Sequence, residues 1–218
     1  MDKLIDIEYF KGSITIPNLN KDEGDDFNDT YIGTYQENYL QKALGYTMFK
    51  EFETELEKDE GDIPQIWKDL RDGVEYDVTI DGNTIGTKWN GFKNDEEISP
   101  IAYFVYFKWI KENYAQLTGT GVGVSNKENA TNYPPIFKST ASWNKYIKLT
   151  GNIKDYVTKE CFQYLKKYKN KKYYREDLSF IDDSVKLDQS LFMFLYHHRD
   201  DFTNWIFTND IRLNVYEI

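Results

Sequence analysis

Ser99-Pro100-Ile101-Ala102-Tyr103-Phe104-Val105-Tyr106-Phe107-Lys108-Trp109-Ile110 is followed by Thr118-Gly119-Thr120-Gly121-Val122-Gly123-Val124 and then by Ala141-Ser142-Trp143-Asn144. Ser99 suits a helix N-cap, because its hydroxyl can accept from an orphan backbone N–H, and Pro100 suits the first helical position, where a missing N–H costs nothing. Between Pro100 and Ile110 only Lys108 is charged, so much of the helix circumference must be buried against other elements or other subunits. The helix opens into a glycine-rich loop at 118–135 and leads to a second Trp-bearing helix. Glycines, amides and hydroxyls of this kind suit backbone contact and assembly better than catalysis.

Working outward, Ile14 to Leu19 reads as a short strand or extended arm, followed by an acidic linker at Lys21–Asp29. A helix begins near Asp29 or Thr30, with Tyr31, Ile32, Tyr35, Tyr39, Leu40 and Leu44 at the period of one buried face, and Gly45 interrupts it. A second helix carries Phe49, Phe52 and Leu56 on one side, with Glu51, Glu53, Glu55 and Glu57 mostly toward water. Ile63-Pro64 starts a short helix with Ile66, Trp67 and Leu70. Between Val74 and Trp89 the period changes to two around Asp81-Gly82-Asn83, which predicts a β-hairpin, with Gly86 as the place for a bulge. A long helical pattern runs from about Ile136 to Tyr168, broken at Gly151. Another covers Val185 to His198, and Trp205 to Tyr216 reads as extended. The expected class is mainly α, with an inserted β-hairpin and extended terminal arms. Its divisions are an N-terminal arm and acidic linker at 1–28, a helical domain at 29–170 and a C-terminal helix and arm at 171–218.

Composition bounds the function. The chain has 218 residues and a formal net charge of −10, which argues against general affinity for nucleic acid, since such binding relies on Lys and Arg displacing counterions from phosphates. No segment approaches the roughly 20 apolar residues of a membrane span, and no basic region with an apolar run opens the sequence. Synthesis in the cytoplasm, with no membrane partner, is the expectation. Charge is unevenly placed: Lys166, Lys167, Lys169, Lys171, Lys172 and Arg175 cluster late, against acidic runs at 21–29 and 51–62. A solvated helix end is one reading of the basic cluster, and an electrostatic contact with an acidic run of another copy or partner is the other. Aromatic residues make up 17%, with 18 tyrosines. Tyr buries a ring while keeping a polar tip, so the stripe fits either a core or a helix-to-helix interface between subunits.

Catalytic and ligand readings find little support in the residues. Gly119, Gly121 and Gly123 have neither the dinucleotide spacing nor a following Gly-Lys-Ser/Thr. His197 and His198 are adjacent, so on a helix they point about 100° apart and cannot form an i, i+4 metal pair. Asp25-Asp26 and Asp182-Asp183 sit in polar turns, where capping is the default role for a carboxylate pair. Cys161, the only cysteine, falls in a helical pattern as a half-buried residue. No catalytic residue, cofactor or metal is expected.

Several segments together resemble the head-tail connector, or neck, proteins of tailed bacteriophages, especially those of phages and prophages of Bacteroides-type bacteria. Ile16-Pro17-Asn18-Leu19 precedes a helix ending Tyr39-Leu40-Gln41-Lys42-Ala43-Leu44-Gly45-Tyr46, followed by Phe49 and Phe52. Lys88-Trp89-Asn90-Gly91-Phe92 looks like the family's Trp-x-Gly-Leu/Phe turn. Tyr103 to Trp109, Thr118-Gly119-Thr120-Gly121, Glu128-Asn129-Ala130 and Trp143-Asn144 form the central match, so the resemblance spans about 14–150. The acidic insertion at 21–29 departs from the pattern. The resemblance implies a helical connector fold, a dodecameric ring joining the portal protein to the tail in the virion neck, and DNA only as passing cargo. It nominates Tyr103, Tyr106, Trp109, Thr118, Gly119, Gly121, Val122, Val124, Asn129 and Trp143 as assembly-interface residues. Two other readings stay open: a neighbouring neck or tail-completion ring, and a soluble bacterial hydrolase or ligand-binding protein with an aromatic pocket.

Overall fold

The computed structural model describes residues 2–16, 19, 27–80, 83–118, 121–124, 136–151 and 187–205. Within them the chain is mainly helical, with two small sheets. The central helix, here α4, runs Pro100–Tyr114. The Ser99 hydroxyl accepts from the Ile101 amide at 3.3 Å, the expected cap, a bond of the kind worth about 1 kcal/mol. Ile101, Ala102, Phe104, Val105, Tyr106, Phe107 and Ile110 are all buried, so the apolar circumference is covered largely by this chain's own helices.

Those helices follow the sequence pattern closely. Asn28–Gly33 is wound as a π-helix and continues as α1, Thr34–Leu44. Gly45, at φ +78°, closes α1 through its N–H to the Gln41 carbonyl at 3.0 Å and lets the chain turn directly into α2, Tyr46–Leu56. Met48, Phe49 and Phe52 form the buried face of α2. The short α3, Gln65–Asp72, buries Leu70 and keeps Ile66 and Trp67 half-buried against the core.

The hairpin pairs β1, Val74–Ile80, with β2, Asn83–Trp89, in an unbroken antiparallel register. Gly86 lies opposite Asp77 within that register, so it marks no bulge. The hairpin gains a third strand: β5, Leu187–Gln189, pairs parallel to β2 at Thr87–Trp89. A helix was expected from Val185. It begins instead at Leu191 and runs to His197 as α6, because Ser190 caps it by accepting from the Met193 amide at 3.3 Å. A three-residue parallel strand leaves no period to read, and its partner lies about a hundred positions away in sequence.

Two further expectations change. The glycine-rich stretch expected as a loop is a second hairpin, β3 Ala115–Thr118 with β4 Gly121–Val124, following α4 directly. Three glycines in six residues weaken any strand reading, although Val122 and Val124 alternate as a strand would. Ile14, expected in a strand, closes a 3-10 turn at Gly12–Ile14 that follows another at Ile7–Tyr9. Leu4, Ile5, Tyr9, Phe10, Ile14 and Ile16 are buried in the same core as the helices, and the buried amide of Gln36 holds this segment by accepting from Leu4 N–H at 2.7 Å. The Trp143-bearing helix, α5, spans Ile136–Thr150 and stops before Gly151. The expected continuation to Tyr168, Cys161, the Lys166–Arg175 cluster and the extended tail beyond Trp205 lie outside the described residues, as does most of the acidic insertion at 21–29.

Candidate assembly surface

The ten nominated interface residues fall into three environments. Tyr106 and Trp143 are buried within the chain. Trp143 packs against Phe107 at 4.9 Å and Tyr146 at 5.0 Å between ring centroids, which fastens α5 to α4. Tyr103 and Trp109 are half-buried, and Trp109 stacks on Tyr106 at 5.8 Å. The Tyr103 carbonyl accepts from the Ser142 hydroxyl at 2.7 Å, a second tie between α4 and α5. Thr118 ends β3, and Gly121, Val122 and Val124 lie in β4. Gly119 and Asn129 are outside the described residues.

The segments that carry the family resemblance meet at one place. Tyr39 of α1 packs against Phe92 (6.1 Å), Phe104 of α4 (5.8 Å) and Tyr146 of α5 (5.9 Å). Trp89 at the end of β2 meets Phe92 edge-on at 5.6 Å and stacks on Phe194 of α6 at 6.0 Å. The Trp-x-Gly-Phe turn works through its backbone as well. Phe92 and Lys93 both donate their N–H to the Arg71 carbonyl at 2.8 Å, and the Trp89 indole donates to the Leu70 carbonyl at 3.1 Å. The turn thereby fixes the hairpin to the end of α3.

What remains available for a partner is different from what the sequence nominated. Tyr46, Ile136 and Phe137 are 68%, 62% and 72% exposed. Tyr46 follows Gly45 immediately, so the period that buries Phe49 leaves it outside, and this much was legible in the sequence. Ile136 and Phe137 open α5, one turn ahead of its buried face. A cleft of about 730 Å³ lies between the 6–9 turn, the α3–β1 junction and the 93–97 loop. Asp6, Glu8, Asp72, Glu75 and Asp95–Glu97 line it against only Lys88 and Lys93, which makes it acidic. Several of its carboxylates are already engaged: Glu97 with Lys11, Glu96 with Lys88 at 3.2 Å, Asp72 with Arg71 at 2.6 Å. No group of three or more His, Cys, Asp or Glu side chains converges as a metal site among the described residues, and no helix there is long and apolar enough to cross a membrane.

The two histidines lie where α6 passes under the hairpin. Tyr76 of β1 packs against His197 at 5.8 Å and His198 at 5.0 Å, and its hydroxyl lies 3.1 Å from His197 Nδ1. Burial, together with the neighbouring His198 and Arg199, pushes His197 down to about 4, and burial pushes Tyr76 up to about 12. The tyrosine therefore stays protonated and can donate to a neutral imidazole. Because the folded chain takes up this proton less readily than the unfolded one, His197 contributes stability that is complete above its ordinary value of 6.5 and is lost as pH falls from 6.5 toward 4. Stability measured by urea unfolding at pH 7 and pH 5 is expected to fall less for His197→Phe than for the parent chain. An equal fall in both would show that other groups carry the acid dependence.

Compared with models of known families, with curated proteins and with solved structures, the chain matches none of them.

Proposed function

We propose that the chain is a structural, non-enzymatic connector of a phage neck, assembling as a ring, dodecameric by its resemblance, that joins the portal to the tail and lets DNA pass. One observation carries this reading. The short motifs of the resemblance, scattered from Tyr39 to Trp143, converge on a single aromatic junction of Tyr39, Trp89, Phe92, Phe104, Phe107, Trp143 and Tyr146. Chance matches to short patterns have no reason to pack together. A closed ring needs two different faces per subunit, one complementary to the other. The exposed Ile136–Phe137 pair and the β3–β4 hairpin are candidates for such faces.

The test is mass by light scattering, alone and with the candidate portal, followed by negative-stain imaging. Rings, or rings only on the portal, support the connector. A monomer that ignores the portal would return the chain to the ligand-binding reading, for which the 730 Å³ cleft would be the place to look. An acidic lumen suits DNA passage because it repels phosphates, and an assembled ring with a strongly positive lumen would sink the proposal. Deletion of 119–124 removes β4 and the residues joining it to β3, and leaves the aromatic junction untouched. The expected outcome is a folded subunit, by circular dichroism, that no longer forms rings; normal particles from the deletion would refute the role given to this hairpin.

A further inference from the structure

The three-stranded sheet has the order β1, β2, β5, so β1 is an edge, and among the described residues no strand pairs with its outer side. It is a long edge, seven residues at Val74–Ile80. The Thr87 hydroxyl donates to the Tyr76 carbonyl at 2.7 Å, which places the Tyr76 backbone toward β2. By antiparallel alternation the backbone N–H and C=O groups of Asp77 and Thr79 then face the open side. Such a row of unpaired groups is a template for another extended chain.

The two faces of this edge differ. Val74, Tyr76 and Val78 are half-buried on one face, and Glu75, Asp77 and Thr79 are exposed on the other. Residues 211–216, outside the described structure, read Ile-Arg-Leu-Asn-Val-Tyr, with Ile211, Leu213 and Val215 alternating against Arg212, Asn214 and Tyr216. Laid beside β1, that period continues the apolar face with apolar residues and sets Arg212 on the face that carries Glu75 and Asp77. The sequence following Trp205 supplies a five-residue link, 206–210, and then this segment.

The direction in which the described chain ends selects the copy. β1 meets α6 near its C-terminal end, through Tyr76 with His197 and His198. After α6 the chain doubles back: Phe202 packs on Phe194, and Trp205 packs on Phe192 near the start of the helix. Trp205 therefore lies toward the end of α6 remote from the β1 contact. We infer that residues 211–218 of one copy add as a strand to the open edge of β1 in the next copy. This rests on the ring reading for its second copy. Donor segment and acceptor edge then sit on opposite sides of a subunit, as a head-to-tail ring requires.

The experiment uses full-length chains with Cys161→Ser. One carries Asp77→Cys, and the others carry Arg212→Cys, Asn214→Cys or Tyr216→Cys, the three positions on the matching face. Opposed residues in paired strands approach closely enough for a disulfide. Mixing acceptor and donor under mild oxidation is expected to give a disulfide-linked heterodimer at one of the three positions. Adding Thr79→Pro to the acceptor, which removes one outward N–H and leaves the β1–β2 bonds in place, should cut its yield at least tenfold. No heterodimer at any position would overturn the inference, as would a double variant that cross-links only within one chain. Rings on the portal without the mixed disulfide would remove the strand addition and leave the connector standing; the mixed disulfide in a chain that ignores the portal would do the reverse.

Discussion

Gly91→Ala is expected to cost about 4 kcal/mol of folding stability, built from two causes. Gly91 sits at φ +79°, where an L side chain is strained by roughly 1–2 kcal/mol. A Cβ there would stand 2.5 Å from the Gly73 amide nitrogen and nearer still to the Asp72 carbonyl carbon, both main-chain atoms with no freedom to step aside. The turn must then move off α3, which breaks the paired N–H bonds from Phe92 and Lys93 to the Arg71 carbonyl, each contributing about 1 kcal/mol. In a chain of this size the loss corresponds to a melting temperature lower by roughly 10 °C. Gly12→Ala supplies the control. Gly12 also has a positive φ, +60°, with nothing within 4 Å of its Cβ position, so only the strain of about 1 kcal/mol is expected. Equal losses in the two variants, by urea unfolding, would show that the turn does not hold the hairpin on α3.

The same turn shows where the sequence could be read and where it could not. Trp89-Asn90-Gly91-Phe92 is recognisable as a motif, but its work is done against Arg71, Asp72 and Gly73, and only the folded backbone brings these together. The helices were legible because their signals are local: Ser99-Pro100 opening α4, Gly45 separating α1 from α2, and the three-to-four spacing of Tyr39, Leu40 and Leu44. The first hairpin was legible for the same reason, a period of two around Asp81-Gly82-Asn83. The pairing of β5 with β2 joins residues far apart in sequence, and nothing near Leu187 announces it. The β3–β4 hairpin was concealed by its own glycines.

For the candidate site the lesson runs differently. Tyr106 and Trp143 were chosen because large aromatic residues are common in interfaces, yet a core and an interface draw on the same side chains, and composition alone does not separate them. Burial does. With those rings covered inside the chain, the surfaces left for assembly are ones that hydrophobic content did not select: an open strand edge bearing Asp77 and Thr79, and the exposed first residues of α5. If the chain closes into a ring, most of its aromatic content builds the subunit, and the joints between subunits rely on backbone pairing and a few exposed apolar residues.

Phe104→Ala puts that division to the test. Phe104 is fully buried where α1, α4 and α5 meet, with ring centroids 6.3 Å from Tyr35, 5.8 Å from Tyr39 and 5.3 Å from Tyr146. The ammonium groups of Lys42 and Lys108 lie 5.9 and 5.6 Å from the ring centre. Removing the ring leaves a cavity that three helices cannot close together, and losses of roughly 3–5 kcal/mol follow such truncations. Phe137→Ala, at a site 72% exposed, removes the same atoms from water-facing surface and should change the isolated subunit by less than about 0.5 kcal/mol. A subunit insensitive to Phe104→Ala would mean that α4 is covered by a neighbour rather than by α1 and α5. A large loss for Phe104→Ala beside none for Phe137→Ala would instead establish a subunit that folds on its own aromatic junction before it meets any partner. Assembly defects in Phe137→Ala could then be read as defects of assembly alone.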